Sequence, residues 1–124
     1  MARILIAEDE EPLRTLIKRA LAEEGHLVVA TADGSEALDV LQSEGSGFDL
    51  LLTDIKMPVM DGIALALAVA RDFPKLPILL MTGYADQRER VSGLEALICD
   101  DISKPFALAE IKFAVASALA KGKR

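Results

Sequence analysis

Cysteine and histidine are almost missing from this chain, where Cys99 and His26 stand alone. A lone thiol rules out an internal disulfide, and one thiol with one imidazole cannot make the nitrogen and sulfur set of a zinc site. Long apolar runs are missing too. No segment approaches the roughly 20 apolar residues of a membrane-spanning helix, and Met1-Ala-Arg leads straight into a strand-like segment with no visible export signal. The expectation is a cytoplasmic protein with no membrane partner. Basic residues are also scarce, 14 Lys and Arg against 20 Asp and Glu, for a formal charge of −6. The one basic cluster is the tail Lys121-Gly-Lys-Arg124. Phosphate backbones need a basic stripe, so nucleic acid is disfavoured as a main partner.

What the chain does have is apolar residues, 52% of its 124, with 27% charged. That composition belongs to a folded globular protein, and the length suits one core. The expected organisation is a single domain over residues 1–124 with no output domain.

Short apolar runs alternate with segments of helical period, five of each. Arg3 to Ala7, Leu27 to Ala30, Phe48 to Thr53, Pro77 to Met81 and Ile98 to Ile102 read as strands. Pro12 to Glu24 puts Leu13, Leu16, Ile17, Ala20 and Leu21 on one helical face and ends at Gly25, a C-terminal capping residue. Ser35 to Glu44 repeats the pattern with Ala37, Leu38 and Leu41. Asp61-Gly62 opens a third helix, the Asp86 to Gly93 region is a short charged fourth, and Leu108 to Ala120 is a fifth with Ile111, Val115 and Leu119 inward. Five such units predict an α/β fold, a parallel sheet with helices on both faces and right-handed crossovers. Ligands of these sheets bind beyond the carboxyl ends of the strands.

The residues at those ends carry the chemistry. Glu8, Asp9, Glu10 and Glu11 come after the first run, Asp54 after the third, Thr82 after the fourth, and Ser103 and Lys104 after the fifth; the second ends in the turn Thr31-Ala-Asp-Gly. Asp9 and Asp54 offer hard oxygen ligands for Mg²⁺, with Glu8 acting directly or through water. Lys104 can neutralise an acid or grip a phosphoryl oxygen, and Thr82 can donate to another. Taken singly each residue has a plainer explanation: Asp9 as a helix cap, Asp54 as a loop residue, Lys104 as a solvated charge, Thr82 as a turn residue. Together they form a constellation only if the βα reading holds. A glycine-rich nucleotide cradle is excluded after the first strand, where the segment is acidic. An aspartyl phosphatase commonly has a second acid two residues after its nucleophile, where this chain has Lys56. An Asp nucleophile that takes a phosphoryl group from another molecule remains.

These residues resemble the receiver domain of bacterial response regulators, the CheY-like superfamily. The resemblance rests on Glu8-Asp9, Asp54, the loop Asp54-Ile-Lys-Met-Pro-Val-Met-Asp-Gly62, Thr82 and Lys104-Pro-Phe106. The spacings are 45 residues from Asp9 to Asp54, 28 more to Thr82 and 22 more to Lys104. It implies a five-stranded (βα)₅ sheet of order 2-1-3-4-5 and phosphorylation of Asp54. It also implies Mg²⁺ held by Asp9, Asp54 and the main-chain carbonyl of Lys56, and a cis bond between Lys104 and Pro105. Thr82 and Lys104 would sense the phosphoryl group. Donors would be a histidine kinase or a histidine phosphotransfer protein, and catalysis would be limited to self-phosphorylation from a donor and autodephosphorylation.

Two departures concern output. Where many receivers carry Tyr or Phe three residues before the lysine, this chain has Asp101, which leaves Tyr84, its only tyrosine, as the candidate aromatic readout. The third helix, Ile63-Ala-Leu-Ala-Leu-Ala-Val-Ala70, is apolar all round. The family pattern turns Leu65, Ala66 and Val69 inward and leaves Leu67 as a candidate partner surface. Phe113, on the same helical face as Glu110 and Ser117, is a second. The segment Met81 to Arg90 and the ending Asp101 to Phe106 resemble stand-alone regulators of the CpdR type, phosphorylation-gated adaptors of an ATP-dependent protease in cell-cycle control. The expected assembly is a monomer or weak dimer. Three functions stay open at this point: a phosphorylation switch, a small Mg²⁺-dependent phosphatase, and an adaptor indifferent to phosphorylation.

Overall fold

The computed structural model describes residues 2–44, 47–83, 93, 94 and 96–122. In chain order the elements are β1 (Arg3–Ala7), α1 (Glu11–Glu23), β2 (Leu27–Thr31), α2 (Gly34–Glu44), β3 (Leu50–Asp54), α3 (Gly62–Asp72), β4 (Ile78–Thr82), β5 (Asp100–Ser103) and α4 (Leu108–Gly122). The five strands are parallel and lie in the order β2-β1-β3-β4-β5. The Asp86 to Gly93 helix expected from the sequence lies outside the described residues, Gly93 apart.

The apolar runs became strands because each has two faces to bury. Leu5, Ala7 and Leu51 project to one side of the sheet and meet Ala37 and Leu41 of α2 and Leu65, Ala66 and Val69 of α3. Ile4, Ile6, Leu50 and Leu52 project to the other and meet Ile17 and Leu21 of α1 and Ile111 and Val115 of α4. All five residues of β3 and all five of β4 are buried, as central strands of a doubly covered sheet must be. β2 and β5 form the edges, and β5 leaves Asp100 and Asp101 exposed.

Local chemistry sets the helix ends. At the end of α1 the His26 amide donates to the Leu21 carbonyl and the Gly25 amide to the Ala22 carbonyl, with Gly25 at φ +90°. This is a Schellman ending, and glycine takes that φ without steric cost. Asp61 caps α3 by accepting from the Ala64 amide at 2.9 Å.

One inward assignment needs correcting. Leu16 is 48% exposed, because it lies at the margin of the stripe whose centre is Ile17, Ala20 and Leu21. In α4 Ile111, Val115 and Ala118 are buried, and Leu119, half-buried, packs against the same core as expected. No helix among the described residues is long and apolar enough to cross a membrane.

Candidate functional site

The carboxyl ends of β1, β3 and β4 open into a cavity of about 800 Å³ lined by Asp9, Asp54, Lys56, Gly83 and Lys104 on its polar side. Leu13, Met57, Pro58 and Phe106 make the apolar side. Parallel pairing builds the polar half. Ala7 is in register with Thr53 and Asp54 with Met81, so the residues just beyond each run emerge at one sheet edge.

Glu8 is the most enclosed of the acids, with no solvent exposure. Its amide donates to the Thr31 carbonyl at 3.0 Å, and its own carbonyl accepts from the Arg14 guanidinium at 2.9 Å. One carboxylate oxygen accepts from the Glu10 amide at 3.0 Å and the other from Lys104 Nζ at 2.9 Å. The same ammonium reaches Asp54 Oδ2 at 3.0 Å, while Asp54 Oδ1 accepts from the Ile55 amide at 2.9 Å. Lys104 thus ties residues 96 and 50 positions away in the chain into one group. Asp9 stands exposed at the rim. The first residue of α1 is preceded by Glu10, which makes no side-chain cap, so helix capping does not account for Asp9.

Electrostatics here are governed by burial. Desolvation pushes the Glu8 carboxyl above its usual range; the Glu10 amide and Lys104 oppose the rise and neighbouring Asp54 adds to it. Asp54 is raised as well, by burial against the opposing pull of Lys104 and the Ile55 amide. For Lys104 burial acts to lower the pKa, but the two carboxylates together outweigh it and hold the ammonium form beyond its ordinary range. Oxygens of Glu8, Asp9 and Asp54 lie within 4.8 Å of one another. Three ionised carboxylates beside one ammonium leave two negative charges, which suits an oxygen-seeking divalent cation in both ligand type and charge.

Close backbone packing fixes the loop from Asp54 to Gly62. The Gly62 amide donates to the Ile55 carbonyl at 2.7 Å, and a Cβ on Gly62 would stand 1.9 Å from the Asp54 carbonyl oxygen. The Gly34 amide donates to the Met60 carbonyl at 3.0 Å, with a hypothetical Cβ 2.6 Å from that oxygen. Between them Val59 adopts φ +67°, bridged by a 2.7 Å bond from the Met60 amide to the Pro58 carbonyl. The Lys104 to Pro105 bond is cis.

Not every candidate faces the cavity in the same way. Thr82 is buried at the end of β4, and its hydroxyl donates to the Ile102 carbonyl of β5 at 3.5 Å. The Lys104 amide donates to the Thr82 carbonyl, which couples the two strand ends. Lys56 lines the cavity with an exposed side chain. Asp101 lies exposed on the edge strand, in register with Leu80. Tyr84 lies outside the described residues. Leu67 and Phe113 are 48% and 76% exposed. Sequence reasoning passed over Gly34, Met60 and Val59, and took Asp33-Gly34 for an ordinary turn.

Known proteins resemble this chain in sequence and in fold. The family described as the response regulator receiver domain matches residues 4–116. The response regulator RppA of Synechocystis is 35% identical over 109 residues, and the response regulator MprA of Mycobacterium avium is 38% identical over 109 residues. Each alignment covers 88% of this chain and 47% of the relative, so the chain spans under half the length of these proteins. Among solved structures, the response regulator protein TrrA of Thermotoga maritima, in complex with Mg²⁺ and BeF, superposes with a TM-score of 0.84 at 31% identity. That match covers 95% of this chain and 99% of the other. By sequence and fold, the chain belongs to the response regulator receiver domain family.

Proposed function

We propose that Asp54 accepts a phosphoryl group from a histidine kinase or histidine phosphotransfer protein, and that the domain signals by protein contact. The observation that carries this reading is that Lys104 bonds both Asp54, which lines the open cavity, and the sealed Glu8 behind it. In the transfer an Asp54 oxygen forms the new bond to phosphorus, the bond from phosphorus to the donor's imidazole nitrogen breaks, and that nitrogen keeps the electron pair. Lys104, within hydrogen-bond reach of Asp54, would hold a phosphoryl oxygen. Thr82 would turn from the Ile102 carbonyl to a second phosphoryl oxygen, carrying its strand end with it. Asp9 and Asp54, with the Lys56 carbonyl and with Glu8 directly or through water, would hold Mg²⁺. When bound, the ion supplies charge neutralisation for the incoming phosphoryl group.

The test is labelling by a small phosphodonor such as phosphoramidate, with and without Mg²⁺. One phosphoryl group per chain, dependent on Mg²⁺ and lost in Asp54→Asn, is expected. Multiple turnover on a phosphate ester would favour the phosphatase instead, and labelling that survives Asp54→Asn would overturn the assignment.

The narrower output reading is a phosphorylation-gated adaptor for an ATP-dependent protease, with Tyr84 as its aromatic readout in place of Asp101. Its support is the resemblance of Met81 to Arg90 and Asp101 to Phe106. Partner capture that is the same for modified and unmodified protein, or for Tyr84→Ala, would remove it.

A further inference from the structure

Asp9 is placed by its backbone. The Glu8 and Asp54 carboxylates are each held by Lys104 Nζ and by a main-chain amide, of Glu10 and Ile55 respectively. The Asp9 carboxylate makes no hydrogen bond or ion pair among the described residues. Its oxygen nevertheless lies within 4.8 Å of oxygens of the other two acids. What keeps it there is the peptide on either side. Beyond Asp9 the Glu10 amide donates to Glu8 Oε2 at 3.0 Å, and before it the Glu8 carbonyl accepts from the Arg14 guanidinium at 2.9 Å.

The Arg14 bond has no substitute in the sheet. Glu8 is the first residue beyond β1, and its amide, bound to the Thr31 carbonyl at 3.0 Å, ends the pairing with β2. No main-chain amide among the described residues donates to its carbonyl, and Glu8 has no solvent exposure through which water could serve instead. A buried carbonyl stripped of its donor is costly, and its peptide turns until another donor is found. Turning that peptide swings Asp9, which it joins to Glu8. Arg14 is itself anchored in the first turn of α1, where its amide donates to the Glu10 carbonyl at 2.9 Å. We infer that Arg14 is a positioning residue of the cation site, holding the peptide between Glu8 and Asp9 so that the Asp9 carboxylate stays beside Glu8 and Asp54. The inference rests on the reading of these acids as a Mg²⁺ site. Charge alone predicts the opposite effect, because a guanidinium near the acids repels a cation and its removal would tighten binding. Loss of a bond that orients a ligand loosens it, typically by roughly 10- to 100-fold.

The sign of the change in affinity separates the two effects. Amide-shift titration of the full chain with MgCl₂, with no phosphodonor present, reads binding without any phosphoryl transfer. Arg14→Met keeps an aliphatic stem but no donor, and should weaken Mg²⁺ affinity by about tenfold or more. Arg14→Gln, whose amide nitrogen is two bonds nearer the backbone than the guanidinium nitrogens, is a second variant with the same expectation. Arg19→Met removes the same charge from an exposed position of the same helix and should leave affinity within about twofold of wild type. Unchanged or tighter binding in both Arg14 variants would overturn the positioning role, and so would an equal loss in Arg19→Met. A wild-type chain with no saturable Mg²⁺ shift would instead overturn the Mg²⁺ reading itself.

Discussion

Gly62 is packed on Asp54 so tightly that a Cβ at position 62 would lie 1.9 Å from the Asp54 carbonyl oxygen. The atom in the way is backbone, at the end of a fully buried strand, so neither partner can yield cheaply. Gly62→Ala is expected to cost about 3 kcal/mol of stability and to displace Asp54 from Lys104. Urea unfolding and phosphoramidate labelling would report the two effects. A variant as stable as wild type would show that the loop has room the packing denies.

Removing the charge of Asp54 should stabilise the metal-free protein at neutral pH. A carboxyl raised in the folded state binds its proton more tightly there than in the unfolded chain. Its contribution to stability is therefore greatest at low pH and is lost as pH rises from about 4 through the folded value. Asp54→Asn should raise Tm by about 4 °C at pH 7 in EDTA, and the gain should shrink toward pH 4. A gain independent of pH would point to packing rather than to a desolvated charge.

Lys104 works in the other direction. Lys104→Met leaves Glu8 and Asp54 buried beside each other with no cation, a loss we put at about 2 kcal/mol. That is below the usual figure for a buried pair because the Lys104 side chain keeps 19% exposure. With the ammonium gone both carboxyls should rise further, so the loss is largest near neutral pH and falls as they protonate. Denaturant melts in EDTA from pH 4 to 8 would show that trend or its absence.

Val59 combines φ +67° with a β-branched side chain that is 85% exposed. Branching at Cβ makes the left-handed region costly, and burial does not compensate here. Val59→Asn, which tolerates that region, is expected to gain about 1 kcal/mol, read as a higher urea midpoint. An unchanged midpoint would mean that the surroundings, not the residue, set this conformation.

The central strands could be read directly because Leu50-Leu-Leu and Ile78-Leu-Leu-Met are apolar on both faces, the mark of a strand covered by helices on each side. Asp54, Glu8 and Lys104 could be picked out because parallel strands deliver the residues after their last apolar position to one edge. The strand order came from the family resemblance, since the pattern of apolar runs does not say which strands pair. Leu16 misled, because helical period fixes a stripe's direction better than its width. Gly34, Met60 and Val59 stayed hidden because close approach between distant backbone segments leaves no periodic trace.

Short-range chemistry thus settled the strands, the helix ends and which residues stand beyond each strand, for these depend on side-chain alternation and local hydrogen bonds. Only the assembled sheet decided that Glu8 is sealed while Asp9 faces solvent, that Thr82 turns to Ile102, and that one ammonium serves two carboxylates. Those outcomes depend on desolvation and on distances of about 3 Å between residues far apart in the chain, and neither exists until the sheet has formed.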